Sequence, residues 1–159
     1  MSANDQAVVD TTRDYYDSPD ADNFYFHVWG GEDIHVGIYL SDGEPIRDAS
    51  HRTVRCMVDA LDLTPSSRLL DIGSGYGGSA RVIAREVGCH VTALNLSPVQ
   101  NRRAREMNVE QGLDDKIDVI DGSFEELPFT DESYDVVWCQ DSILHSARRD
   151  PVLREGGRG

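Results

Sequence analysis

Lysine is almost absent from this chain. Lys116 is the only one, against fourteen arginines and twenty aspartates, and the formal net charge is −14 over 159 residues. A surface this acidic repels phosphate groups, so it argues against nucleic acid or an anionic membrane as a partner. It also suits a protein that must stay dissolved in concentrated salt. A salt-tolerant source is therefore one hypothesis, and an ordinary acidic cytoplasmic enzyme is the simpler alternative.

Cysteine is scarce and long apolar runs are missing. Cys56, Cys89 and Cys139 lie far apart without C-x-x-C spacing, which predicts neither a disulfide framework nor a zinc site. No run of residues is long and apolar enough to cross a bilayer, and the first five residues lack the basic and apolar features of a secretory signal. We therefore expect a cytoplasmic protein with no bound metal.

Glycine, in contrast, is concentrated at one place. An apolar run at residues 68–72 predicts a buried strand, and a glycine-rich turn with Gly73, Gly75 and Gly77 follows before a helix begins near Ser79. Such a turn brings the backbone close to a ligand. Gly73, Gly75 and Gly78 also satisfy G-x-G-x-x-G, so a nicotinamide cofactor has to be considered. Asp71 argues against it, because a carboxylate suits a cation better than a pyrophosphate.

Strand and helix patterns alternate along most of the chain. The sequence predicts helices over residues 46–63, 79–87 and 97–112, and strands over 68–72, 90–96, 117–121 and 134–140. This alternation is typical of an α/β protein with a Rossmann-like, doubly wound parallel sheet. Ligands bind such sheets beyond the carboxyl ends of the strands.

The first 45 residues have a different character. Residues 5–17 have helix-like apolar spacing that we expect to end at Ser18-Pro19. The aromatic-rich residues 23–31 and 33–39 fit a loop that packs over a pocket, and the alternative is that their rings fill a small N-terminal core.

The D-x-G-x-G-x-G spacing of Asp71 to Gly77 resembles the first motif of class I S-adenosylmethionine-dependent methyltransferases. The resemblance implies S-adenosylmethionine as the cofactor. Asn95 lies about twenty residues after Gly75, where these folds place an acid on the ribose hydroxyls, and an asparagine amide can still bind a diol. The other positions that the resemblance implies for the cofactor are Ser74 in the turn, Gln100 near the ribose, Asp121, Gly122, Ser123 and Phe124 near the adenine, and Gln140.

Two longer segments resemble a narrower group. Residues 15–39 look like the N-terminal segment of sarcosine/dimethylglycine N-methyltransferases, and so do residues 95–108, which also resemble tocopherol and sterol C-methyltransferases. The resemblance implies methylation of a small amine to glycine betaine, an osmolyte. His145 would lie near the transferred methyl group. The aromatic rings that could stabilise the cationic product are Tyr16, Phe26, Trp29 and Tyr39.

The chain supplies about four of the seven strands that the resemblance leads us to expect. We therefore expect an N-terminal helix and aromatic cap at residues 1–45, an incomplete cofactor-binding domain at 46–146, and an aberrant or truncated tail at 147–159. Activity of this chain alone is then doubtful, and a non-catalytic cofactor-binding module is the alternative from another class. The oligomeric state stays open.

Overall fold

A parallel β-sheet forms the centre of the molecule. The computed structural model describes residues 2–29, 31–130 and 132–146. The strands are β1 (Arg68–Ile72), β2 (His90–Asn95), β3 (Ile117–Asp121) and β4 (Val136–Trp138), in the spatial order β3-β2-β1-β4. All three pairings are parallel. The predicted doubly wound α/β sheet is confirmed.

Three helices follow the predicted order around this sheet. They are α3 (Ile46–Val58), α4 (Gly78–Glu86) and α5 (Pro98–Glu110). Ser97 begins α5 as expected, since its hydroxyl accepts a hydrogen bond from the Gln100 amide at 3.2 Å and proline occupies the first turn. α3 is shorter than predicted, and β4 has three residues rather than seven.

Successive residues of β1 point to opposite faces of the sheet, and the two faces are covered unequally. On one face, Leu69 packs with Val54 of α3 and Ile83 of α4, all fully buried. On the other, Leu70 and Ile72 are buried beside Leu94, but the apolar side chains around them are only partly buried. The second face thus keeps apolar surface within reach of solvent.

The N-terminal segment is helical for longer than the sequence predicts. α1 (Ala3–Tyr16) agrees with expectation, but Ser18-Pro19 begins a further helix, α2 (Pro19–Asn23), which continues as a π-helical segment (Phe24–Trp29). Ser18 caps α2, and proline is tolerated because a first-turn residue needs no amide hydrogen. The prediction of a loop over residues 23–29 was therefore wrong.

Two aspartates attach this segment to the sheet domain. Asp17 accepts hydrogen bonds from the Ser97 hydroxyl and from the Val99 amide, and Asp22 accepts one from the Tyr76 hydroxyl at 2.9 Å. Arg103 of α5 forms an ion pair with Asp22. The N-terminal helices are therefore part of the wall at the carboxyl ends of the strands.

Within the described parts of the chain, no helix is long and apolar enough to cross a membrane. The predicted tail at residues 147–159 lies outside the described residues.

Candidate active site

A cleft that is partly open to solvent lies beyond the carboxyl ends of β1 and β2. The register explains its position, because Asp71, one residue before the end of β1, lies beside Ala93 of β2 and Trp138 of β4. The structure brings nine residues expected to hold the cofactor to the walls of this cleft: Asp71, Gly73, Ser74, Gly75, Asn95, Gln100, Ser123, Phe124 and Gln140. Gly77, Asp121 and Gly122 do not line it.

The glycine turn has the backbone geometry that its sequence requires. Gly73, Gly75 and Gly77 have φ angles of +73°, +56° and +78°, which side chains rarely tolerate. The amides of Gly73 and Ser74 both donate to the Leu94 carbonyl, so the turn is held against β2. Gly77 is the N-cap of α4. Its place is therefore at the start of the helix rather than in the cleft wall.

Asp71 lies at the bottom of the glycine turn and is 2% exposed. Burial raises the pKa of its carboxyl group to about 7, with nearby His35 lowering it and nearby Asp33 raising it. One carboxyl oxygen, Oδ2, has no hydrogen-bond partner among the described residues. The group is therefore available to a ligand, and a cationic ligand would favour its charged form.

Asp71 is one of several cleft residues with an unsatisfied polar atom. The Ser74 hydroxyl, the Gln100 Nε2 and the Gln140 Nε2 are also buried without a hydrogen-bond partner in the described part of the chain. Buried polar groups are normally hydrogen-bonded, and orphans call for an explanation. Because all four atoms belong to residues that line one cleft, a polar ligand in that cleft is the simplest explanation.

Asn95 and its neighbours form a hydrogen-bond network at the end of β2. The Asn95 Nδ2 donates to Gln100 Oε1 at 3.0 Å and to Asn101 Oδ1 at 3.1 Å, so its carbonyl oxygen is the group that can accept from a ligand hydroxyl. Asn101 also donates to Asp121, which lies 3.2 Å from Arg105. These contacts hold the Asp121 carboxylate outside the cleft wall. Its expected role in adenine binding therefore stays a prediction.

The segment at residues 32–35 lines the cleft, although the sequence did not point to its acidic residues and its histidine as site residues. Asp33 is 2% exposed and pairs with His35 at 3.2 Å and with His51 of α3 at 3.1 Å. Burial acts to raise the pKa of Asp33, but the hydrogen bonds from the two histidines lower it to about 2. The same aspartate raises the pKa of His35 against the opposing effect of burial.

Asp33 also occupies the space in front of α4. A Cβ atom added at Gly78 would lie 2.0 Å from Asp33 Oδ1, so the carboxylate lies directly against the first turn of this helix. A helix N-terminus is where Rossmann-like sheets bind a pyrophosphate. With a buried anion already there, the geometry disfavours a nicotinamide dinucleotide. Sequence reasoning missed this contact because 45 residues separate Asp33 from Gly78.

The loop after β4 closes another side of the cleft. Ser142 donates to the Ile72 carbonyl at 2.8 Å, and the Ser79 hydroxyl donates to Gln140 Oε1 at 3.1 Å. Asp141 accepts from the Val36 amide at 2.9 Å. The backbone of His145 lies in a 3-10 turn (Ile143–His145), and its expected position near the reacting methyl group stays a prediction.

The aromatic residues expected to contact substrate do not lie together. Tyr16 lines the cleft. Phe26 instead contacts the ring of Tyr76 and lies under the Arg103 guanidinium at 4.4 Å, while Trp29 packs near Phe24 and Tyr25. Tyr39 is 47% exposed. Among these four residues the structure thus brings only Tyr16 to the cleft.

Comparison with known proteins identifies the family of this chain. The profile of the methyltransferase-domain family matches residues 70–158. A sarcosine/dimethylglycine N-methyltransferase of Halorhodospira halochloris is 55% identical over 97% of this chain and 56% of its own length. A sterol 24-C-methyltransferase of Gibberella zeae is 32% identical over 91% of this chain and 37% of its own.

A solved structure agrees over the same region. The crystal structure of a protein assigned as a sarcosine dimethylglycine methyltransferase from Galdieria sulphuraria is 48% identical, with a TM-score of 0.83, over 91% of this chain and 55% of that one. The chain therefore spans about half the length of these two sarcosine/dimethylglycine methyltransferases.

Proposed function

The chain belongs to the methyltransferase-domain family, and from this premise we propose that it binds S-adenosylmethionine in the cleft and serves the N-methylation of sarcosine or dimethylglycine to glycine betaine. The observation that carries the proposal is the set of unpartnered polar atoms around the cleft, with the Asp71 carboxyl group among them. The substrate class is supported by the identity of 55% to an amine methyltransferase, against 32% to a sterol enzyme.

The residues of the cleft fit this cofactor. Asp71 favours its cationic ammonium or sulfonium group, and the Asn95 carbonyl with the Gln100 amide suits the ribose diol. Ser123 and Phe124 form the part of the wall where the adenine would lie. These assignments agree with the acidic wall, because Asp33 and Asp71 favour a cationic ligand over a phosphate-bearing one.

When bound, S-adenosylmethionine supplies an electrophilic methyl group for in-line displacement. The contribution of the protein is then to orient the amine and keep its lone pair directed at the methyl carbon, which can supply much of the rate enhancement. The Tyr16 ring, which lines the cleft, offers an aromatic face to the cation that forms on nitrogen. His145, which the resemblance assigns to the neighbourhood of the transferred methyl group, stays a candidate.

Calorimetric titration of the 159-residue chain with S-adenosylmethionine, with NAD as the control, tests the cofactor. Binding of the first ligand alone is the expected result. Binding of NAD alone, or of neither ligand by a chain shown to be folded by circular dichroism, would contradict it.

The substrate needs a second assay, because this chain spans about half of its relatives. We suggest extending it with the C-terminal half of the Halorhodospira halochloris relative and supplying dimethylglycine, sarcosine or a prenylated phenol. Methylation of the amines is expected. Methylation of the phenol alone would favour a C-methyltransferase of the tocopherol or sterol type.

One observation favours a second candidate, a non-catalytic cofactor-binding module. The sheet face around Leu70 and Ile72 is bordered by partly buried apolar side chains, which a partner chain could cover. Gel filtration of the purified chain separates the two functions. A stable homodimer or hetero-complex would favour the module, and soluble aggregate would favour an enzyme that requires its remaining half.

A further inference from the structure

The charged side chains that line the cleft are mainly acidic, yet one of them is a guanidinium group. Its acidic side chains include Glu32, Asp33, Asp71 and Asp141, and Arg13 is the only arginine or lysine in its described lining. An amino acid carries a cation and a carboxylate together. The acids account for the cation, and the carboxylate needs a donor such as this arginine.

The position of Arg13 follows from the face of α1 on which it lies. Val9, Arg13 and Asp17 are four residues apart and therefore share one side of the helix. Val9 is 6% exposed and lines the cleft, and Asp17 is bonded to Ser97, which also lines it. Since contacts on both sides hold this face against the sheet domain, Arg13 is directed to the mouth of the cleft.

Arg13 is also free enough to accept a ligand. Its Nη1 lies 3.3 Å from Asp10 Oδ1, but the two side chains are 40% and 50% exposed, and such surface pairs are weak. Other arginines near the cleft are held elsewhere. Arg81 is fully buried against Glu32, and Arg103 pairs with Asp22. Either could turn to the cleft only by breaking this ion pair.

We propose that Arg13 binds the carboxylate of an amino-acid group in the cleft. This inference rests on the proposed function, which offers two such groups: the methionine part of S-adenosylmethionine and the glycine-derived substrate. Both present a carboxylate one carbon from a nitrogen. A guanidinium group binds it through two parallel hydrogen bonds, a geometry that lysine cannot reproduce.

Titration calorimetry of the 159-residue chain tests the proposal with two nucleosides. S-adenosylhomocysteine has the amino-acid carboxylate, and methylthioadenosine lacks the whole amino-acid part. If the cofactor is the source, Arg13→Gln weakens S-adenosylhomocysteine binding about 10- to 100-fold and leaves methylthioadenosine within twofold. The affinity of Arg13→Lys for S-adenosylhomocysteine is expected to lie between those of the wild type and Arg13→Gln. Arg102→Gln, an exposed arginine of α5, is the control and changes neither affinity.

A second arm identifies the substrate as the source. Dimethylglycine and dimethylaminoethanol, which lacks the carboxylate, are titrated into the chain saturated with S-adenosylhomocysteine. Selective loss of dimethylglycine binding in Arg13→Gln supports Arg13 as a substrate ligand.

Three results would overturn the inference. A carboxylate contact is contradicted if Arg13→Gln binds every ligand as the wild type does. It is also contradicted if Arg13→Gln loses affinity for methylthioadenosine and S-adenosylhomocysteine by the same factor. Both results leave the proposed function intact. A wild-type chain that binds neither nucleoside contradicts the proposed function, and this inference with it.

Discussion

At the scale of single residues, the glycine turn shows two separate reasons for glycine. Gly73 has a φ of +73°, and a Cβ there would lie 2.3 Å from the Ser142 Cβ. Gly112 has a similar φ of +65°, but nothing lies within 4 Å of its Cβ position. The two positions therefore separate backbone strain from steric overlap.

We expect Gly112→Ala to lower the free energy of unfolding by about 1 kcal/mol, from the left-handed backbone alone. Gly73→Ala adds the overlap with Ser142 and is expected to cost about 2 kcal/mol more. Urea unfolding of both variants measures the difference. Equal losses would mean that the loop after β4 moves away freely, and that Gly73 is required for its backbone angle only.

Asp71 offers a second prediction at this scale, since burial raises its pKa to about 7. Below that pH the free chain holds a proton on this carboxyl group, and a bound cation would expel it. Binding of S-adenosylmethionine at pH 6.5 is therefore expected to release a proton, and affinity should rise up to tenfold per pH unit below pH 7.

Calorimetry in buffers of different ionisation enthalpy counts that proton. Asp71→Asn should abolish the release, and the wild type should show none at pH 8.5, where Asp71 is already charged. The same release from Asp71→Asn and the wild type would assign the proton to another group.

At the scale of elements, the structure depends on contacts between segments that are distant in sequence. The sequence predicted α1 and the helices of the sheet domain from local spacing, and it predicted a loop over a pocket at residues 33–39. It could not predict the π-helical segment or the contacts of Asp33 with α3 and α4. Asp33 lies against α4, contacts His51 of α3 and neighbours the glycine turn. This aspartate therefore joins α3, α4 and the glycine turn.

The Asp33 ion pairs are expected to make stability depend on pH. The lowered pKa of Asp33 means that its contribution is present above the unfolded pKa and is lost as pH falls toward 2. The raised pKa of His35 means that its contribution is present below its unfolded pKa and is lost as pH rises through the folded one. Both contributions are present near pH 5.5.

We expect Asp33→Asn to lower the free energy of unfolding by about 2–4 kcal/mol at pH 5.5 and by less at pH 9. Urea unfolding at the two pH values measures this. The matched control is Asp118→Asn, since Asp118 pairs with His90 at 3.5 Å on the surface, and its loss should stay within about 0.5 kcal/mol. An Asp33→Asn loss that does not change with pH would exclude the histidine pairs as its cause.

At the scale of the whole molecule, the excess of acid is the dominant feature. A single lysine and fourteen arginines leave the chain with a formal net charge of −14. Its negative side chains therefore repel one another at low ionic strength. Salt screens this repulsion over distances beyond about 10 Å at 0.1 M.

We therefore expect the melting temperature to rise by several degrees between 0.05 M and 1 M NaCl, as followed by circular dichroism. The double variant Asp62→Asn/Asp114→Asn changes two exposed positions. Its melting temperature should be higher than that of the wild type at low salt and should rise less when salt is added. A melting temperature that falls with salt in both proteins would contradict self-repulsion as the main effect.

Local patterns alone sufficed for the parallel sheet, its helices and much of the glycine turn, because hydrophobic periodicity and positive-φ glycines act over a few neighbouring residues. Strand ends in a parallel sheet meet at one edge, and together with the family resemblance this identified nine residues of the cleft wall as candidate cofactor ligands. Tertiary structure decided the rest. Asp33 against Gly78, Asp17 bonded to Ser97, and Phe26 turned toward Arg103 are contacts between segments separated by tens of residues. Their partners are selected by packing and charge after the chain has folded.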